Sequence, residues 1–165
     1  MTYPLELANE LAEAGYELHT LGWVPATSGN FSARIDDKSC LVTASGKHKG
    51  KLGSDDFLAV DFDGKPLTDG KPSAETLLHT YLYKRFSDIG AVLHCHSPNA
   101  TVLSRQLAIQ KQVTLREYEL LKAFKGIDTH KASLEIPIFD NTQDIAALAA
   151  EADAYLENIR TAPAI

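Results

Sequence analysis

Leu7, Leu11, Ala14 and Leu18 recur at the spacing of one helix face, Thr2 and Pro4 suit a helix N-terminus, and Gly22 can supply the left-handed stop. The pattern then shortens its period. Residues 31–35, 40–44 and 57–62 are short β-prone runs separated by Asp36-Asp37, Ser45-Gly46 and Asp63-Gly64 turn signals, which predicts an antiparallel meander. A second helix is expected to begin at Ser73, just after Pro72, with Leu77, Leu78, Tyr81 and Leu82 as its apolar face, and to end near Phe86. Residues 91–96 read as a buried strand. Ser97-Pro98 is a cap followed by proline at the first helical position, opening a third helix through Leu107. Residues 117–124 look like a short helix closed by Gly126, and residues 136–139 like a strand. Asn141 is expected to cap a last helix whose face includes Ile145, Leu148, Ala152 and Ile159. The tail, residues 162–165, turns apolar again and looks like the start of a strand. No repeat, low-complexity tract or internal linker interrupts the series, so one domain spanning residues 1–165 is expected.

Composition narrows the function classes. With 44% hydrophobic and 23% charged residues in 165 positions, the chain is ordinary for a globular domain, and no run approaches the roughly 18 apolar residues of a membrane span. The start is acidic and lacks both a basic n-region and an apolar h-region, so a cytoplasmic protein is expected. Two cysteines, Cys40 and Cys95, are too few for a disulfide framework and read as reduced thiols. A net charge of −6 disfavours nucleic acid and anionic membranes as partners and leaves small molecules.

His94 and His96 are the sharpest chemical feature. Two residues apart on a strand, about 6.6 Å along the backbone, both imidazoles leave one face while Cys95 points to the other. Two such rings can share one zinc ion at bond lengths of about 2.0–2.1 Å, but a catalytic zinc takes three protein ligands and an open position. The competing reading is a pair of histidines hydrogen-bonded at a strand end. Thr27-Ser28-Gly29-Asn30 and Ser45-Gly46-Lys47 are hydroxyl- and glycine-rich loops whose backbone N–H groups can form an anion-binding concavity, with Lys47, Lys49 and Lys51 as a local basic patch. Each loop alone reads equally well as a solvated turn. Ser73 at a helix start adds a third anion-friendly position. Glu75, in the first helical turn, is either a general acid/base or a partner of the helix dipole. Glu117 and Glu119 sit on a short helix beside Tyr118. His79, one turn after Glu75, is a rival ligand or a buried supporting histidine.

The segments "GWVPATSGNFS", "VTASGKHKG", "KPSAETLLH", "GAVLHCHSPNATVLS", "YELLKAFKGI" and "IPIFDNTQDIAALA" together resemble the bacterial methylthioribulose-1-phosphate dehydratases of the class II aldolase superfamily, over nearly the whole chain. The first four are shared in looser form by fuculose-phosphate and rhamnulose-phosphate aldolases and ribulose-phosphate epimerases, whereas "SGKHKG" and "YELLKAF" point to the dehydratases. The resemblance implies an α/β fold in three layers, with a central, mostly antiparallel sheet flanked by helices, commonly assembled as a homotetramer. It implies His94 and His96 as Zn2+ ligands and Gly29, Asn30, Ser45, Gly46 and Ser73 around the substrate phosphate. Glu119 would be the acid/base of the dehydratase branch, and Glu75 matches that of the aldolases. The implied reaction is dehydration of 5-methylthioribulose 1-phosphate to a 2,3-diketo-5-methylthiopentyl phosphate. A sugar-phosphate aldolase or epimerase and a non-catalytic interaction module of the same fold are the alternatives. Members of the family carry a "GHG" segment whose histidine completes the metal site; none occurs here, so a chain cut short within the following strand is expected, one that binds zinc weakly by itself.

Overall fold

The computed structural model describes residues 3–157, which fall into two compact units that divide between Pro98 and Asn99. Thr2, Ile159 and the 162–165 tail, on which the hydropathy pattern also draws, lie outside the described residues.

The first unit follows the expected meander. Helix α1 (Leu5–Thr20) leads to strands β1 (Asn30–Arg34), β2 (Ser39–Thr43) and β3 (Phe57–Asp61), then helix α2 (Thr76–Arg85) and strand β4 (Ala91–His94). The sheet runs β3-β2-β1-β4 with every pair antiparallel, and β4 returns to the free edge of β1, pairing Asn30 with His94 and Ser32 with Val92. The period of two sorts the side chains into two layers. Ala8 and Leu11 of α1 pack with Phe31, Ala33, Leu41 and Phe57 on one face. Cys40, Val42, Leu58 and Val60 meet Tyr83 of α2 on the other. Burial of each large apolar side chain here contributes about 1.5–3 kcal/mol, so the three layers hold the sheet rigidly against both helices. Both cysteines are free thiols; Cys95 packs toward the α1 layer, as its alternation with the flanking histidines requires.

Three expectations for this unit are corrected. Helix α2 starts at Thr76, not Ser73, because Pro72 is held extended in a bridge to Ala44 and residues 73–75 form a turn in which the Ser73 carbonyl accepts from Thr76. Its buried face is Thr76, His79, Thr80 and Tyr83, while Leu77 is exposed: the face is chosen by the polar groups on the sheet it covers, not by the leucine stripe. Strand β4 is half exposed rather than buried, as an edge strand paired on one side only.

Helix α3 (Pro98–Gln106) begins on its proline as expected and belongs to the second unit from Asn99 onward. An unanticipated strand β5 (Gln112–Arg116) pairs antiparallel with β6 (Ser133–Pro137), setting Val113 against Ile136 and Leu115 against Leu134. Lys111 and Glu117 bracket β5 at φ 59° and 60°, a left-handed backbone that non-glycine residues adopt at turns. The short helix is a 3₁₀ turn over Glu119–Ala123. Helix α4 (Ile145–Glu157) buries Ala149 and Leu156, and its cap is Asp144 rather than Asn141: the Asp144 Oδ1 accepts from the Ala147 N–H at 3.0 Å.

Candidate active site

On the α2 face of the sheet, β1 and β4 carry Asn30, Ser32 and His94 side by side, and α2 lowers its polar face onto them. Glu75, at the N-cap of α2, accepts from His94 Nδ1 at 2.8 Å through Oε2 and from Asn30 Nδ2 through the same oxygen. His96 lies beyond the end of β4, its backbone N–H fixed by the Trp23 carbonyl at 2.7 Å, and its ring centroid is 4.7 Å from that of His94. The two imidazoles are adjacent, as their spacing predicts. Burial, with the neighbouring His94 second, pulls His96 below the ordinary histidine range, favouring the neutral ring a metal requires.

His79 serves a different purpose. It is buried one turn along α2, with Nδ1 2.7 Å from the Ser32 hydroxyl, which in turn lies 2.8 Å from the Tyr83 hydroxyl. Burial first, and the charge of His94 second, push the His79 pKa down to about 3; burial likewise pushes the Tyr83 phenol far above its ordinary range, so it stays protonated. This triplet is a neutral hydrogen-bonded floor beneath the β1–β4 pair. Sequence reasoning assigned no role to Ser32, although it ends the "GWVPATSGNFS" segment, and missed Tyr83, which no motif signals.

Backbone contacts join two of the three proposed anion segments: the Ser45 N–H donates to the Lys71 carbonyl at 2.9 Å, setting Ser45-Gly46 beside the extended segment that leads to Ser73. Gly46 has φ +76°, and Gly29 has φ +73° where a Cβ would stand 2.6 Å from the His94 carbonyl; only glycine allows this loop to press against β4. Asn30 Oδ1 is buried without a partner among the described residues, an orphan acceptor inside the cluster. The basic patch is corrected: Lys47 pairs with Asp56 at 2.8 Å, and Lys49 is 2% exposed with its Nζ inside the protein.

Glu119 belongs to the second unit, with its side chain 70% exposed. Lys122 Nζ contacts it at 2.5 Å and His130 Nδ1 at 3.1 Å, and the Lys122 hydrogen bond and charge hold its carboxyl below the usual carboxylate range.

A divalent ion suits the donors present. His94, with Nδ1 committed to a carboxylate, and the adjacent His96 offer two nitrogens of the kind a zinc shell takes, the carboxylate–histidine contact being a common device for fixing ring orientation. Among the described residues, no group of three His, Cys, Asp or Glu is placed to hold a metal.

The chain, whose first unit is an antiparallel sheet between helices, belongs to the class II aldolase family. The model of the class II aldolase and adducin N-terminal domain matches residues 9–165. At 56% identity over 153 residues, 92% of this chain and 74% of the relative, the chain is similar to a methylthioribulose-1-phosphate dehydratase of Pseudomonas aeruginosa. It is 54% identical over the same span to the enzyme of that name from Azotobacter vinelandii. Among solved structures, the L-fuculose-1-phosphate aldolase from Thermus thermophilus superposes at a TM-score of 0.69 with 28% identity, covering 93% of this chain and 72% of that one. Among the described residues no helix is long and apolar enough to cross a membrane.

Proposed function

We propose that this chain is a hydro-lyase that dehydrates 5-methylthioribulose 1-phosphate to 2,3-diketo-5-methylthiopentyl 1-phosphate, a step of methionine salvage, as a cytoplasmic homotetramer. The single observation that carries the reading is the 56% identity to methylthioribulose-1-phosphate dehydratases across the segments that contain the His94–Glu75 contact and its neighbouring loops. The family model running unbroken from residue 9 to 165 supports treating both units as one class II aldolase-like domain.

His94 and His96 would hold the ion, which we take to be Zn2+; when bound, such an ion acts as a Lewis acid toward the sugar's carbonyl oxygen. Glu75, through His94 Nδ1, orients one ligand ring and is a supporting group rather than the base. Gly29, Asn30, Ser45, Gly46 and Ser73 would bind the phosphate with backbone N–H, amide and hydroxyl donors. Glu119 is held as a carboxylate, the form that removes a proton: it takes the acidic hydrogen at C3 and returns it to the departing C4 hydroxyl, which leaves as water, and the C3–C4 enol that remains transfers its hydroxyl proton to C4 to give the 2,3-diketone. The buried Ser32–His79–Tyr83 floor excludes water beneath the reacting face and adds no charge.

The test is turnover of methylthioribulose 1-phosphate beside fuculose and rhamnulose 1-phosphates, with metal content measured on the same samples. A diketo product from the first alone is expected. Dihydroxyacetone phosphate from the others would move the chain to the aldolases, whose fold it shares. No turnover of any of them by zinc-loaded protein would favour an interaction module.

A further inference from the structure

Lys49 is the only Lys, Arg, Asp or Glu among the buried described residues. An ammonium leaves water at a large cost unless its protons find acceptors. Here two do: Nζ donates to the Thr27 carbonyl at 2.9 Å and to the Lys47 carbonyl at 2.7 Å. Those carbonyls belong to the 27–30 and 45–47 loops, which are well separated in sequence. No carboxylate forms an ion pair with Lys49 among the described residues, although the charge of Glu75 reaches it and partly offsets the downward pull of burial on its pKa.

The burial is enforced by the neighbouring helix. At Gly15 in α1 a Cβ would stand 2.6 Å from the Lys49 carbonyl, and at Gly50 a Cβ would stand 2.3 Å from the His19 ring. Two glycines thus let α1 press the 3₁₀ turn Lys49–Lys51 inward, driving the ammonium under the loops. A staple made only for stability has no need of a charge in that position, since an amide would hold two carbonyls at lower desolvation cost.

We propose that Lys49 is a positioning residue that ties the 27–30 and 45–47 loops into a single phosphate cradle, its ammonium being the cation beneath the bound dianion. The inference rests on the reading of those loops as the sugar-phosphate site and deepens it: the loops act as one element, and the phosphate completes the neutralisation that no protein carboxylate supplies.

The experiment is hydrogen–deuterium exchange of the full chain with inorganic phosphate, on wild type, Lys49→Met and Lys49→Arg, with KM and kcat for the sugar phosphate measured alongside. In wild type, phosphate should slow exchange in both loops with one shared midpoint concentration. Lys49→Met should lose protection in both together and raise KM by about tenfold or more while changing kcat by less than about threefold, the split expected for lost ground-state binding. Lys49→Arg, which keeps the charge, should restore part of the protection. Equal protection in a folded Lys49→Met variant overturns the role of Lys49 and leaves the phosphate reading standing. Absence of protection in wild type overturns the phosphate reading, and the role of Lys49 with it. If Lys49→Met fails to fold, the wild-type midpoints still decide: two separate midpoints overturn the single cradle, and one supports it.

Discussion

The two units place their apolar residues differently. In the first, Phe31, Leu41, Val42, Leu58, Val60 and Tyr83 are nearly inaccessible, and the groups around His94 rest on that layer. In the second, only Leu121, Leu134, Ala149 and Leu156 are buried among the described residues, while Ile109 is 95% and Leu120 77% exposed. A dense core fixes rotamers, so the His94–Glu75–Asn30 contacts are built into the first unit. Glu119 instead sits on a short exposed turn, held by the flexible side chains of Lys122 and His130, and surface ion pairs of that kind position a group weakly. The groups proposed to orient the metal ligands rest on a dense core, and the proposed base rests on an exposed turn.

The largest expected effect tests whether that division matches the division of labour. Glu119→Gln keeps shape and hydrogen bonding while removing the ionisable group, and should lower kcat by about 10²–10⁴ with metal content unchanged. Glu75→Gln should instead weaken metal affinity by about 10–100-fold, since it loosens the support of His94. Metal titration and steady-state kinetics on both variants read the two effects separately. A crippled, metal-replete Glu75→Gln beside a nearly normal Glu119→Gln would put the acid/base chemistry in the rigid unit.

The contrast in packing has its own measurement. Phe31→Ala removes a ring from between α1 and the sheet and should cost about 3–5 kcal/mol, whereas Leu120→Ala, at an exposed position, should change stability by less than about 0.5 kcal/mol. Urea midpoints of the two variants compare them directly. Similar losses at both positions would mean that Leu120 is covered in solution.

The first unit is more legible in the sequence than the second, for physical reasons. Helix α1 and the meander follow from local periodicity and turn residues, and the adjacency of His94 and His96 from strand geometry; all appear where expected. The leucine stripe of α2 points to the wrong face, because the sheet beneath the helix presents Ser32 and Asn30 and so selects His79, Thr80 and Tyr83. In the sequence Lys49 is one of three clustered lysines, and its burial depends on two carbonyls from distant loops that no local pattern encodes. Strand β5 is legible in principle, since Gln112–Arg116 alternates polar and apolar residues, but so short a run gives a weak signal.

The buried floor of the site predicts a pH effect confined to the first unit. His79 has a folded pKa of about 3, below the ordinary histidine value near 6.5, so protonation favours the unfolded chain. Its contribution is fully present above a pH of about 6.5 and is lost as pH falls toward about 3, at up to about 1.4 kcal/mol per pH unit. Denaturant midpoints between about pH 7.5 and about pH 4.5 should fall more steeply for wild type than for His79→Gln, which cannot titrate. Parallel profiles would show that His79 is not held neutral in the folded protein.

The smallest effect concerns how helix α4 begins. Asp144 and Asn141 are both acceptable caps by residue type, and they differ only in where the helix starts: Asp144 Oδ1 accepts the Ala147 N–H, and the Asp144 carbonyl accepts the Leu148 N–H as the first helical bond. Asn141 lies three residues outside that geometry and makes neither contact. Asp144→Ala should therefore cost about 1 kcal/mol, through a lost cap bond and a lost negative charge at the positive end of the helix dipole. Asn141→Ala should be close to neutral. Because the cap acts only through α4, its loss should speed amide exchange in the first turn of that helix and leave β1 and β4 unchanged. Equal costs for the two substitutions would shift the helix start toward Asn141, and a response in β1 or β4 would show that the two units do not unfold independently.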